Sequence, residues 1–443
     1  MNDFIRSIDD IRLDARTKGL PLAEGEIRLG DVGKQGWNVL KGDMTLPLLT
    51  LSDAAVANNL KVMREFIEAS GVSIAPHGKA TGCPQLYRLQ LEEGGAWGMT
   101  AATGPQAILA ARSGAPHVLI ANELVSPANI RQLVGLQKAF PKTRFYSLVD
   151  SADGVRRLAE FARPALEKGQ RLAVLIELGA AGGRAGARNR QAAELVLAAL
   201  GKAGEVLELA GVECYEGAVS REGEVATLAA IGELLEFAMS VYEEAARQGF
   251  FAGLGETLIS AGGTIYFDEV VRRFARIRAT PGLRIVLRGG AYLALDHGFY
   301  LRNAKAMDRR GQIAGRSGPK PPSEAFRPAL ALWAAVLSLQ DPGTAIMNMG
   351  MRDLPYDIDL PIPLKHYREG RLLRDIQASN APWKVVRAND QHCFLSYPEG
   401  SDIATGDVLA FGISHTSTAF DKWSVLYRID ESATVTGALK TFF

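Results

Sequence analysis

The 443-residue chain carries 50 Lys and Arg against 49 Asp and Glu, a formal charge of +1, and is 47% hydrophobic. That length allows a large core plus a second domain, and the balanced charge leaves no electrostatic footprint for nucleic acid or an anionic membrane, so a small-molecule partner is expected. Cys83, Cys214 and Cys393 are scattered without paired spacing, which excludes a disulfide framework and a zinc ribbon and predicts a reducing, cytoplasmic setting.

Residues 1–16 mix acidic, basic and apolar side chains, and no apolar run approaches the roughly 20 residues of a bilayer span, so neither secretion nor membrane insertion is expected. From about residue 46, short β-rich runs alternate with longer stretches of helical period, the pattern of a parallel sheet wrapped by helices. A first helix is predicted over 52–69, capped by Ser52. Candidate strands then begin near Val72, Ala96, His117, Arg144, Leu172, Val206, Thr257 and Arg284. Amphipathic stretches at 130–140, 152–166, 191–200 and 225–248 are long enough for crossover helices. Eight alternations over roughly 230 residues suit a closed (β/α)8 barrel, usually ~250 residues long, with an open doubly wound sheet as the competing architecture.

After Tyr292 the pattern changes. Gly, Pro and basic residues over 309–322 predict a linker, and runs near 330–338, 383–387, 393–397, 408–412 and 425–430 come next without helices between them. The expected chain is therefore α/β: an N-terminal segment (1–45) packing on the second domain, a TIM-type barrel (46–308), and a mainly antiparallel β domain (309–443).

In such a barrel the active site lies at the carboxyl ends of the strands. The first run ends in Pro76, His77, Gly78 and Lys79, which sets a lysine at the mouth, where desolvation and neighbouring cations lower its pKa and allow Schiff-base chemistry. Taken alone, a strand-end lysine is more often merely solvated. The seventh run is followed by Ser260, Ala261, Gly262, Gly263 and Thr264, and the eighth by Arg288, Gly289, Gly290, Ala291 and Tyr292. Loops in these two places commonly bind phosphate through backbone N–H groups, with the Ser260 and Thr264 hydroxyls as further donors. A lysine on one rim and a phosphate cradle across the mouth describe a pyridoxal phosphate site.

These residues resemble the fold type III pyridoxal phosphate enzymes related to alanine racemase, in the branch of D-serine dehydratase and D-threonine aldolase. Pro76 to Lys79 resembles that branch's Pro-His-x-Lys motif, whose lysine carries the cofactor. Gly182, Gly183, Arg184, Ala185 and Gly186 resemble the motif whose arginine faces the ring, with Glu177 and Gly179 set further ahead of it than in the family. Tyr215 stands where the family places a ring-packing residue, and Gly290 and Tyr292 belong to the second phosphate loop. In the β domain, His392 falls in a Glu-His region, and His415, Thr416 and Ser417 resemble a His-x-Cys or His-x-Asp metal pair, with serine replacing the second ligand.

The resemblance implies a pyridoxal phosphate enzyme acting on a small amino acid, with Lys79, His77 and His392 as the catalytic set. D-serine dehydration to pyruvate and ammonia is the leading reaction. D-threonine-type aldol cleavage, racemisation and non-catalytic storage of the cofactor remain as alternatives. It also implies a homodimer and a divalent metal, Zn2+ or Mn2+, held by His415 and by Cys393 in place of the missing ligand. A serine hydroxyl is a poor ligand for either ion.

Overall fold

The computed structural model describes residues 3–316 and 318–443. Strands β1 (Arg12–Asp14) and β2 (Glu26–Arg28) form a small hairpin, and β3 (Leu48–Ser52) leads into helix Asp53–Ser70. The Ser52 hydroxyl accepts from the Ala55 amide, and Gly71 ends the helix in the left-handed conformation. Eight parallel strands come next: β4 (Ser73–Ile74), β5 (Met99–Ala101), β6 (His117–Glu123), β7 (Arg144–Val149), β8 (Leu172–Leu178), β9 (Leu207–Cys214), β10 (Thr257–Ser260) and β11 (Leu283–Leu287). From β5 to β11 each strand pairs with its successor, and β11 returns to β4. A bridge from His77 to Thr100, just past β4, closes the ring.

Burial on both faces explains the continuous apolar runs. Every residue of β8 is buried, because helices cover one face and side chains such as Leu119, Tyr146, Leu175, Leu258 and Val286 fill the barrel. The four crossover helices foreseen by sequence are Pro127–Ala139, Ala152–Ala162, Arg190–Lys202 and Glu224–Arg247, and Pro84–Glu92, Gly104–Arg112 and Phe267–Phe274 make the remaining crossovers. The second of the four stops short of the expected 166, since Pro164 has no N–H to continue it and the chain tightens into a 3-10 turn. By length and composition Glu224–Arg247 is apolar enough to cross a membrane; here Ile231, Leu235, Ala238, Met239 and Ala245 pack into the barrel's helical shell.

The second sheet contains β12 (Leu330–Ser338), β13 (Thr344–Met347), β14 (Ile362–Arg368), β15 (Arg371–Asp375), β16 (Lys384–Ala388), β17 (Cys393–Ser396), β18 (Val408–Gly412), β19 (Val425–Ile429) and β20 (Val435–Lys440). It is antiparallel except where β3 runs parallel to β19. Thus β3, assigned by sequence to the barrel part, belongs to the other sheet: a short run buried on both faces does not reveal its partner. Strands β14 and β15 escaped detection because their Lys, Arg and Asp side chains mask the alternation. Ile5, Ile8, Leu13, Leu20, Leu29 and Val32 share a core with Trp333, Tyr427 and Val435, which fastens the N-terminal segment to this sheet.

Candidate active site

A cavity of about 250 Å3 opens at the carboxyl ends of the barrel strands. Lys79 reaches it from a 3-10 turn, Gly78–Ala80, that is fixed on three sides. The His77 amide donates to the Arg288 carbonyl (3.0 Å), the Tyr87 hydroxyl donates to the Gly78 carbonyl (2.7 Å), and the Lys79 amide donates to His77 Nδ1 (3.4 Å). The Lys79 side chain is open to solvent at the cavity mouth, yet the walls around it and the cations Arg184 and Arg288 hold its ammonium below the usual lysine range. Burial first, then Lys79, Arg288 and Arg184, press the His77 imidazolium far below its ordinary pKa. His77 is therefore neutral; it shapes the lysine turn and is no acid near neutral pH.

Arg184 lines the cavity with its guanidinium 4.6 Å from the centre of the Tyr215 ring. Its loop is stitched by Arg188, whose Nη1 donates to the Ala180 and Ala185 carbonyls at 2.8 Å. Tyr215 is wedged in place: a side chain on Gly263 or Gly217 would lie 2.9 or 2.6 Å from its ring.

The cavity floor is acidic; sequence reasoning singled out only Glu177, as part of the arginine motif, and missed Glu123 and Glu213. Glu123 and Glu177 line it from the ends of β6 and β8, and Glu213 lies behind at the end of β9, ion-paired with Arg288. Two carboxylates side by side repel; sharing one proton converts the contact to a hydrogen bond. Desolvation, then that contact with Glu177, raises Glu123 to about 8. Burial raises Glu213 to about 7 against the pull of Arg288. The signal was present: these residues end barrel strands, as Lys79 comes just after one.

The glycine loops meet the expectation only in part. Gly263, Thr264, Gly289 and Gly290 line the cavity. A Cβ on Gly290 would lie 2.4 Å from the His77 carbonyl oxygen, so only glycine permits this approach of the two backbones. The amides of Thr264 and Gly290 have no protein acceptor among the described residues. Those of Gly262 and Gly263, by contrast, donate to the Glu216 carboxylate at 2.9 and 2.7 Å. Ser260 is fully buried and donates its hydroxyl to the Val286 carbonyl (3.0 Å), so it serves the barrel and not the cavity. Tyr292 also falls outside the cavity wall. The turn after Gly290 directs its ring inward against Phe326 (6.3 Å between centroids). A lysine amine unpaired among the described residues, open amides beside the Thr264 hydroxyl, and a tyrosine–arginine stack together fit pyridoxal phosphate: a carbonyl for the amine, a phosphate for the amides, a flat ring for Tyr215.

From the β domain, Ser417 joins the wall beside Tyr300 of the barrel. The buried Asp296 carboxylate ties the two together, accepting from the amides of Gly298 (3.1 Å), Tyr300 (2.8 Å) and Thr416 (3.3 Å). His415 is turned to Asp357 (Nδ1 to Oδ2, 2.5 Å) and does not line the cavity. His392 sits on the exposed turn between β16 and β17, away from the cavity, and Cys393 is buried within β17 opposite Met347, its thiol pushed up to about 12 by burial. Neither reaches His415's surroundings as a ligand: among the described residues no group of three or more His, Cys, Asp or Glu is arranged to hold a cation. The donor set at this corner, one carboxylate-bonded histidine and a neutral hydroxyl, does not fit Zn2+ or Mn2+.

A family model described as "Alanine racemase, N-terminal domain" matches residues 51–252, and one described as "Putative serine dehydratase domain" matches residues 329–429. The chain is 26% identical to a 3-hydroxy-D-aspartate aldolase of Paracoccus denitrificans (strain Pd 1222) over 328 residues, 72% of this chain and 76% of that protein. Among solved structures it resembles a D-threonine aldolase from Filomicrobium marinum (TM-score 0.68, 22% identity, 92% of this chain and 97% of that one). It also resembles a D-threo-3-hydroxyaspartate dehydratase from Delftia sp. HT23 (TM-score 0.67, 18% identity, 91% and 99%). At these identities the structural likeness speaks to the fold.

Proposed function

We propose that this chain, which belongs to the alanine racemase-like, fold type III pyridoxal phosphate enzymes, is a lyase that dehydrates a small D-β-hydroxy amino acid of the D-serine type. The observation that carries the reading is Lys79, an amine unpaired among the described residues, in a cavity whose opposite wall offers open backbone amides and whose floor holds a carboxyl pair. The cofactor, when bound, supplies an electron sink for the substrate's α-carbon. Lys79 would hold it, Thr264 and Gly290 would take its phosphate, and Tyr215 with Arg184 would flank its ring.

The protein's own groups then divide the proton transfers. Lys79, with its ammonium destabilised by the partly desolvating walls around it and by two guanidinium groups, is suited to accept the α-proton. Glu123, raised to about 8, carries a proton near neutral pH that it can give to the departing hydroxide. No step requires a metal ligand set. A second reading, aldol cleavage, is favoured by the aldolase identity of the Paracoccus relative; there the same carboxyl pair would accept the β-hydroxyl proton.

The test is the visible spectrum of the purified protein before and after borohydride, with peptide mapping of any reduced lysine. D-serine, D-threonine and their L-enantiomers are then added. Cofactor fixed on Lys79 with pyruvate and ammonia from D-serine is the expected result. Glycine and an aldehyde from D-threonine would replace dehydration by aldol cleavage. A protein that stays colourless after incubation with pyridoxal phosphate would overturn both.

A further inference from the structure

We propose that Glu216 is a positioning residue for the phosphate seat: its carboxylate fixes Gly262 and Gly263 from the side away from the cavity, leaving the Thr264 and Gly290 amides to the anion. The inference rests on the pyridoxal phosphate reading of the cavity and goes beyond it in assigning a role to a residue that touches no ligand.

The geometry divides the turn into two faces. Glu216 comes directly after Tyr215 at the start of a 3-10 turn past β9, is 0% exposed, and is not part of the cavity wall. Its two oxygens each accept one amide, from Gly262 (2.9 Å) and Gly263 (2.7 Å). Gly263 nonetheless lines the cavity. The carboxylate thus grips the turn from beneath while the cavity lies above.

The need for a grip arises from the residues themselves. Two successive glycines, with Gly262 at φ +90°, leave a segment with more freedom to lose than any other pair of residues. Buried amides require acceptors, and a carboxylate supplies charge-assisted bonds to both. Burying that negative charge near a phosphate is unfavourable by itself, but Arg288 faces Glu216 as well as Glu213 and offsets part of it. Ordering the turn before binding removes that cost from the binding step. The next residue in the chain is Thr264, whose amide and hydroxyl stand 3.1 Å from where a Gly289 side chain would begin. A loosened turn therefore displaces the seat itself.

The experiment compares cofactor affinity with and without the phosphate. Apoenzyme is prepared from the holoenzyme, and Kd is measured by fluorescence for pyridoxal phosphate and for pyridoxal, in wild type, Glu216→Gln and Glu216→Ala. We expect Glu216→Ala to weaken pyridoxal phosphate binding about tenfold or more while pyridoxal changes less than about twofold, with Glu216→Gln between. Equal weakening of both ligands, or unchanged or tighter phosphate binding, would overturn the proposal. Should the alanine variant fail to fold, amide hydrogen exchange on the wild-type apoenzyme decides: Gly262 and Gly263 protected without cofactor, Thr264 and Gly290 protected only with it. Fast exchange at Gly262 and Gly263 in the apoenzyme would refute the role. Failure of wild type to bind pyridoxal phosphate would instead overturn the functional reading.

Discussion

Arg288 and Glu213 form an ion pair beneath the cavity with side-chain exposures of 7% and 1%, and Arg288 Nη2 also donates to the Cys214 carbonyl at 2.8 Å. The partners are not equivalent. Glu213, already raised to about 7, can take up a proton if its partner is lost, whereas a guanidinium cannot shed one. Glu213→Gln leaves Arg288 to the more distant Glu216 and the Cys214 carbonyl and should cost about 3 kcal/mol of stability. After Arg288→Met, Glu213 takes up a proton and Glu216 keeps its two amides, so the loss should be distinctly less. Urea denaturation of the two apoenzyme variants at pH 7 measures the difference, and equal losses would contradict it.

The stability of the apoenzyme should fall as pH rises from about 6.5 to about 8; below that window the buried imidazoles of His77 and His297, which fold without their protons, oppose the carboxyl trend. Glu123, Glu213 and Asp296 are raised to about 8, 7 and 6, above their ordinary 4.5, 4.5 and 3.8. Each folded carboxyl holds its proton more tightly than the unfolded chain does. The stability this gives is complete below the unfolded pKa and is lost as pH passes each folded value. Thermal melts at half-unit intervals should show the decline, and Glu123→Gln should flatten its upper part, between about pH 7 and 8.

Gly290→Ala tests the closeness of the two active-site loops. The new methyl would meet the His77 carbonyl oxygen at 2.4 Å and its amide nitrogen at 2.9 Å, both backbone atoms that cannot swing aside. A stability loss of about 1–3 kcal/mol is expected, together with weaker pyridoxal phosphate binding, since the loop must back away from the lysine turn. Calorimetry and cofactor titration provide the two readouts.

Dialysis against a chelator should leave turnover within about twofold of the untreated enzyme, because the His415 corner lacks a closed ligand set. Ser417→Cys places a thiol in the cavity wall two residues from His415. It should raise Zn2+ affinity measurably by competition with a colorimetric chelator, while wild type shows none.

Local pattern determined much of this protein. All eight barrel strands lie where short apolar runs alternate with helical periods, because a strand buried on both faces and an amphipathic helix each leave a signature within a dozen residues. Lys79 and Thr264 were found the same way, from their places just past the carboxyl end of a strand. The tertiary structure alone decided which groups meet. Glu123, Glu177 and Glu213 stand at the ends of β6, β8 and β9 and Arg288 just past β11, and only the pairing of strands far apart in the chain brings them to one cavity. Ser260, Gly262 and Tyr292 stood in a convincing phosphate motif, yet one hydroxyl, one amide and one ring were taken by Val286, Glu216 and the packing against Phe326. His392 was drawn from the family resemblance and Cys393 from its place beside it, but the hairpin between β16 and β17 leaves one exposed and buries the other. A sequence specifies what each segment can offer; which donor finds which acceptor depends on register and closure between segments far apart in the chain.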